Sequence, residues 1–223
     1  MTPSMSGNYV LFLFLLLLPC RVSSSRFEND EAGHDDLKFY EPDAPRLRRR
    51  QKWSRTAKRK LRQQQAAAIA DDYRRAFSLC GIPRLTTLHV SIIWVGDYPK
   101  LPEDVVFAAR QAGATVESAP IAISFGRIMR FPQARALVLC GEGGRKPLTR
   151  LHVQLGVGMH NAGLPHNIGR DFTPHMTLLY DRKAVPPATL DRPVSWMASE
   201  FLLIHSVLGK TEYRIIDRWP LLG

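Results

Sequence analysis

Two short segments of this chain hold residue types that do chemistry, at a spacing that repeats: Leu88-His89-Val90-Ser91-Ile92-Ile93 and Pro174-His175-Met176-Thr177-Leu178-Leu179. In each, an imidazole and a hydroxyl stand two residues apart among apolar neighbours. An extended strand sends successive side chains to opposite faces, so His89 and Ser91, or His175 and Thr177, share one face while Val90 or Met176 enters a core. An imidazole of ordinary pKa, about 6.5, takes or gives a proton near neutral pH. Two of them on opposite sides of a substrate can serve as general base and general acid. Two hydroxyls beside them can donate to phosphate oxygens and steady the charge that develops there. Such a set suits transfer at a phosphodiester. A lone His-x-Ser in a strand reads more simply as a structural histidine, but two copies with matching flanks argue for one site built from two halves.

The elements that must position these segments follow from periodicity. Residues 45–77 read as a long helix in which Trp53, Ala57 and Leu61, then Ile69, Tyr73 and Phe77, recur four apart, closed by Gly81 and Pro83. Residues 86–95, rich in β-branched and aromatic types, read as a strand stopping at Gly96-Asp97. A helix is expected over 102–114, two strands over 121–129 and 136–140, a turn over 141–144 and a helix from Pro147 to about Gly163. A polar loop over 166–173 then delivers the second motif. Strands are expected over 176–180, 196–206 and 212–219, with Pro-rich links between them. The sum is an α+β fold of two related halves: a bilobal, pseudo-twofold arrangement of two small, mostly antiparallel sheets with helices outside and a central cleft lined by the motif strands.

Net charge is +11, and residues 46–62 hold ten Lys or Arg and no acid, so the rest of the chain is close to neutral. A run of this kind is either a solvated arm or a contact for phosphates, and it permits RNA as a partner without requiring it. Cys20, Cys80 and Cys140 lie far apart, are odd in number and form no CxxC, so neither a disulfide framework nor a zinc ribbon is indicated. No HExxH spacing exists. His34, His152, His160, His166 and His205 lack the motif flanks; on their helix His152 and His160 read as solvated or half-buried rings rather than ligands, and packing is the simpler role for His205. The apolar run over 9–19 is too short to span a bilayer as a helix, and it resembles the core of an export signal without a preceding Lys or Arg. Residues 1–36 are therefore expected to be an apolar leader and a polar linker, with the folded domain over 37–223 and a short strand over 37–40. A cytoplasmic location is favoured, with export through the leader as the alternative.

The two His-x-Ser/Thr motifs are the signature of the 2H phosphoesterase superfamily, and the chain resembles its RNA 2′,3′-cyclic phosphodiesterase or 2′-5′ RNA ligase-like family. The likeness continues through Trp94-Val95-Gly96-Asp97-Tyr98, Phe172-Thr173-Pro174-His175 on to Asp181, residues 201–209 and Arg218-Trp219-Pro220-Leu221, over about 86–222. The resemblance implies that His89 and His175 are catalytic and that Ser91 and Thr177 bind the substrate's phosphate. The implied reaction is hydrolysis of RNA 2′,3′-cyclic phosphate ends to a 2′-phosphate, without metal or cofactor, by a monomer, with 2′-5′ ligation as the reverse. In that scheme His175 is read as the base and His89 as the acid. Two departures stand out. Relatives open with a clear strand, where 37–43 is a weak one, and they often carry an arginine where this chain has Tyr180, which becomes a candidate for stacking on a base. Other readings are a phosphodiesterase for a different small cyclic phosphate or a 2′-5′ oligonucleotide, and a non-catalytic RNA-binding protein.

Overall fold

The computed structural model describes residues 9–16, 55–84, 87–164, 172–207 and 212–223, with 9–16 and 55–60 described through their backbone. The strand expected over 37–40, the linker before it, the helical residues 45–54 and most of the 166–173 loop lie outside the described residues.

The elements run β1 (Tyr9–Leu16), α1 (Arg55–Ala76), β2 (His89–Tyr98), α2 (Glu103–Ala114), β3 (Ile121–Phe131), β4 (Ala136–Cys140), α3 (Arg145–Asn161), β5 (His175–Tyr180), β6 (Ala188–Ala198), β7 (Glu200–Val207) and β8 (Glu212–Pro220). The strands order as β6-β3-β4-β5-β2-β1-β7-β8, every pairing antiparallel. Two four-stranded halves meet where β5 adjoins β2, and they pair there at a single position, Val90 opposite Met176. The bilobal α+β expectation therefore holds, with the motif strands forming the seam.

The apolar run expected to be part of a leader is instead strand β1, paired with β2 on one side and β7 on the other. Its even hydrophobicity suits a strand bonded along both edges, and it supplies the N-terminal strand that the family resemblance implies. The folded domain thus takes in residues assigned above to 1–36. Three other expectations change. Strand β2 continues through Gly96-Asp97 to Tyr98. The strand expected over 196–206 is two, broken at Ser199, and β6 contains Pro193, which is tolerated because β6 is a sheet edge. Helix α1 ends at Ala76, before Gly81, where Ser78 turns the chain at φ 46° and Leu79 N–H donates to Arg74 O (2.9 Å).

Helix α1 lies on the β5–β6 half through Ala66 and Ala70, both fully buried, with Ile69, Tyr73 and Phe77 beside them; Leu61 is exposed. Helices α2 and α3 pack on each other and cover the β2 half, where Gly113 admits the Trp219 ring at a distance no Cβ would allow. Phe125, Phe201 and the fully buried residues of β2 and β5 fill one core beneath both halves. Each such side chain contributes about 1.5–3 kcal/mol by leaving water.

Candidate active site

Strands β2 and β5 repeat each other in burial as well as in type. His89, Ser91, His175 and Thr177 are all half-buried, while Val90 and Met176 between them are fully buried. Continued one step either way from the Val90–Met176 pair, the register sets His89 opposite Thr177 and Ser91 opposite His175. The four side chains foreseen for chemistry thus share one face of two adjoining strands.

Both strands also bulge at the same place. Pairing with β1 passes from Ser91 to Ile93, and pairing with β4 passes from Thr177 to Leu179, so Ile92 and Leu178 are the extra residues. A bulge places two neighbours on one side and returns the next residue to the other. Ile92 and Ile93 are accordingly both buried, as are Leu178 and Leu179, and the next residues, Trp94 and Tyr180, are about half exposed. Each bulge carbonyl is then caught from outside the strand. His152 Nδ1–H of α3 donates to Ile92 O (2.8 Å), and Arg84 N–H donates to Leu178 O (2.8 Å).

The two imidazoles are seated alike. His89 Nδ1 lies 2.6 Å from Thr87 O, and His175 Nδ1 lies 2.8 Å from Thr173 O. A carbonyl oxygen only accepts, so Nδ1 carries the proton in each ring and Nε2 keeps its lone pair. Burial pushes the pKa of both rings below the usual histidine value, while the carbonyl bond opposes it in each. His89 is lowered to about 3, chiefly by its burial, with smaller repulsions from the Arg84 guanidinium and the His175 ring. Its ring meets the Tyr213 edge at 5.6 Å; that of His175 meets Phe131 at 4.7 Å.

Three features of the site were not foreseen. Backbone carbonyls have no sequence signature, so the ring seats were invisible. Arg84 lies in an irregular segment, yet its guanidinium stands over the Tyr180 ring (5.5 Å), and its Nη2 donates to Tyr213 Oη (2.5 Å). His152, expected to be solvated or half-buried, is buried, with its ring stacked on Phe172 at 4.4 Å. His205 is also buried, which fits packing. Among the described residues no three His, Cys, Asp or Glu come together in a way that could hold a metal ion, and no helix is long and apolar enough to cross a membrane.

The family model of the 2′-5′ RNA ligase superfamily matches residues 61–208. Similar solved structures include E. coli LigT complexed with 3′-AMP, at 17% identity and TM-score 0.62, covering 97% of this chain and 99% of that one. LigT complexed with phosphate gives 16% and 0.59 over 97% and 99% of the two chains. TT0787 of Thermus thermophilus gives 17% and 0.63 over 96% and 98%. At these identities the likeness is one of fold. No curated protein matches the chain in sequence.

Proposed function

The chain belongs to the 2′-5′ RNA ligase superfamily, with chemistry of the phosphoesterase or 2′-5′ ligase type, and within that class we propose that it hydrolyses RNA 2′,3′-cyclic phosphate ends to 2′-phosphates without a metal. One observation carries the proposal: two histidines on one face of paired strands, each with Nδ1–H committed to a carbonyl and the basic lone pair on Nε2. Nε2 of one ring takes a proton from water as it attacks phosphorus, and the other ring, protonated, gives one to the departing 3′ oxygen. Ser91 and Thr177 hydroxyls donate to the non-bridging oxygens, whose charge grows in the transition state.

The electrostatics favour the reverse of the role assignment read from the sequence. Burial, with the guanidinium adding to it, keeps His89 neutral, so it is the base. His175 lacks that neighbour among its perturbing groups and, once an anionic phosphate arrives, is the ring that holds the proton and acts as the acid. With an RNA 5′ hydroxyl attacking phosphorus in place of water, and the 3′ oxygen again departing with a proton from the acid, the same groups perform 2′-5′ ligation. LigT binds 3′-AMP and phosphate, which suits a nucleotide phosphate at this seam.

The exposed Trp94 and Tyr180, at matching positions of the two strands, favour one further reading, a 2′-5′-linked oligonucleotide with a base on each side of the phosphate. The test is turnover of an oligonucleotide ending in 2′,3′-cyclic phosphate, with EDTA present, beside a 2′-5′-linked dinucleotide. Turnover should be faster on the cyclic end, and should be lost in both His89→Ala and His175→Ala. Full activity in either variant, or activity abolished by EDTA, contradicts the proposal.

A further inference from the structure

We propose that Arg84 is the cation that grips the substrate's phosphate, reaching the motif face from the loop before β2. The inference rests on the phosphodiester reading above and deepens it.

The loop that carries Arg84 is bound tightly across the end of β5. The Asp181 carboxylate accepts from Cys80 N–H (2.6 Å) and Gly81 N–H (2.9 Å), while its other oxygen accepts from Lys183 N–H (2.8 Å). These backbone donors, Lys183 foremost, hold the Asp181 carboxyl below its ordinary pKa, so it stays an anion under this loop. A Cβ on Gly81 would fall 2.1 Å from Tyr180 O, so only glycine lets the two backbones come this close. Arg84 N–H then closes on Leu178 O at the bulge.

From that anchor the side chain crosses the seam. The guanidinium lies over the Tyr180 ring of β5, and its Nη2 donates to Tyr213 Oη of β8, whose ring meets His89. Nη1 lies 3.5 Å from Tyr180 Oη. Tyr180 thus serves as the bed of the arginine on one ring face, which leaves only the other for a base. Arg84 is half-buried, its Nε is buried with no hydrogen-bond partner, and among the described residues no carboxylate pairs with it.

A half-buried cation with no carboxylate beside it is unfavourable unless an anion arrives at its outer Nη groups. The anion that fits is phosphate, because the guanidinium fork matches two of its oxygens and the added charge is largest in the transition state. The positive charge is already felt at His89, where it adds to the burial that keeps that ring neutral.

The experiment measures inorganic phosphate binding to the full chain by calorimetry at low salt, beside kcat and KM on a cyclic-phosphate RNA end. Arg84→Gln should weaken phosphate about tenfold or more and lower kcat/KM about 10²-fold, mostly in kcat. It should also raise the pKa of His89, read from its ring NMR signals. Arg84→Lys, which keeps the charge without the fork, should recover part of the phosphate affinity. Tyr180→Leu, which removes the ring beneath the guanidinium, should weaken phosphate about threefold or more even if Arg84→Gln does not fold. Phosphate binding unchanged in Arg84→Gln or Tyr180→Leu overturns the proposal, as does a wild-type chain that binds no phosphate. If RNA ends are not turned over but Arg84→Gln still loses phosphate, the substrate reading fails and the anion site stands.

Discussion

Strands β2 and β5 carry the same six-residue arrangement of exposure, the same seat for the imidazole and the same bulge, yet their surroundings differ. On the β5 side, Phe131 closes over His175 from the neighbouring hairpin, and no cation is among the groups that perturb the ring. On the β2 side, Tyr213 and Arg84 crowd His89. The bulge carbonyls repeat the contrast, one taken by a buried side chain from α3 and the other by a backbone N–H of the Arg84 loop. Local sequence thus builds two equivalent half-sites, and the segments around them make the halves unequal. In the proposed scheme the two imidazoles must differ to divide the roles of acid and base, and the burial of His89 together with the guanidinium beside it is what sets the two apart.

The comparison can be broken at several depths. The largest effect falls on the rings: His89→Ala and His175→Ala should each lower kcat by roughly 10²–10⁴, since acid and base act in one event, and a rate assay on either alone suffices. Ser91→Ala and Thr177→Ala should each lose roughly 10²–10³ in kcat with little change in KM, as a donor to developing charge does. A large KM change at one strand and not at the other would show that the hydroxyls are not equivalent. Gly81→Ala breaks the inequality itself. Its Cβ drives the loop off Tyr180 O, so Arg84 withdraws and kcat falls while His89 rises in pKa, both measurable on the same sample. The smallest effect is on stability. His152→Leu strands the Ile92 carbonyl and should cost about 1–3 kcal/mol in denaturant unfolding, with activity changed less than by any variant above.

The motif strands were legible because alternation survives in them, and the hairpin of β3 and β4 because Pro132 and its neighbours interrupt two β-rich runs. Strand β1 was not legible. Residues bonded along both edges and set within a sheet show no polar alternation, and eight of them look like the apolar heart of an export signal. The boundary between β6 and β7 was missed because Pro193 reads as a break while the actual break is a single serine. At the site, the four motif residues proposed to act could be picked out in advance, and the structure sets them on one face, since their types and spacing are local features. The carbonyl seats, the bulges and Arg84 could not, because each depends on backbone geometry or on a contact made across the fold. Only the tyrosine at position 180, where an arginine was expected, hinted that the positive charge comes from elsewhere.

The pKa of His89 has a consequence for the fold. Because its folded value lies near 3 and the unfolded ring titrates at about 6.5, the unfolded chain gains a proton that the folded chain refuses between those values. Stability therefore declines as pH falls through that window, and His89→Gln should flatten the decline in acid unfolding curves.

The most direct measurement is a pH titration of the two imidazoles by ring-nitrogen NMR, with and without inorganic phosphate. Both rings should be neutral at pH 7 with the proton on Nδ1, His89 should stay neutral to about pH 3, and phosphate should raise His175 more than His89. Rings that titrate together near 6.5, or that carry the proton on Nε2, would contradict this division of roles.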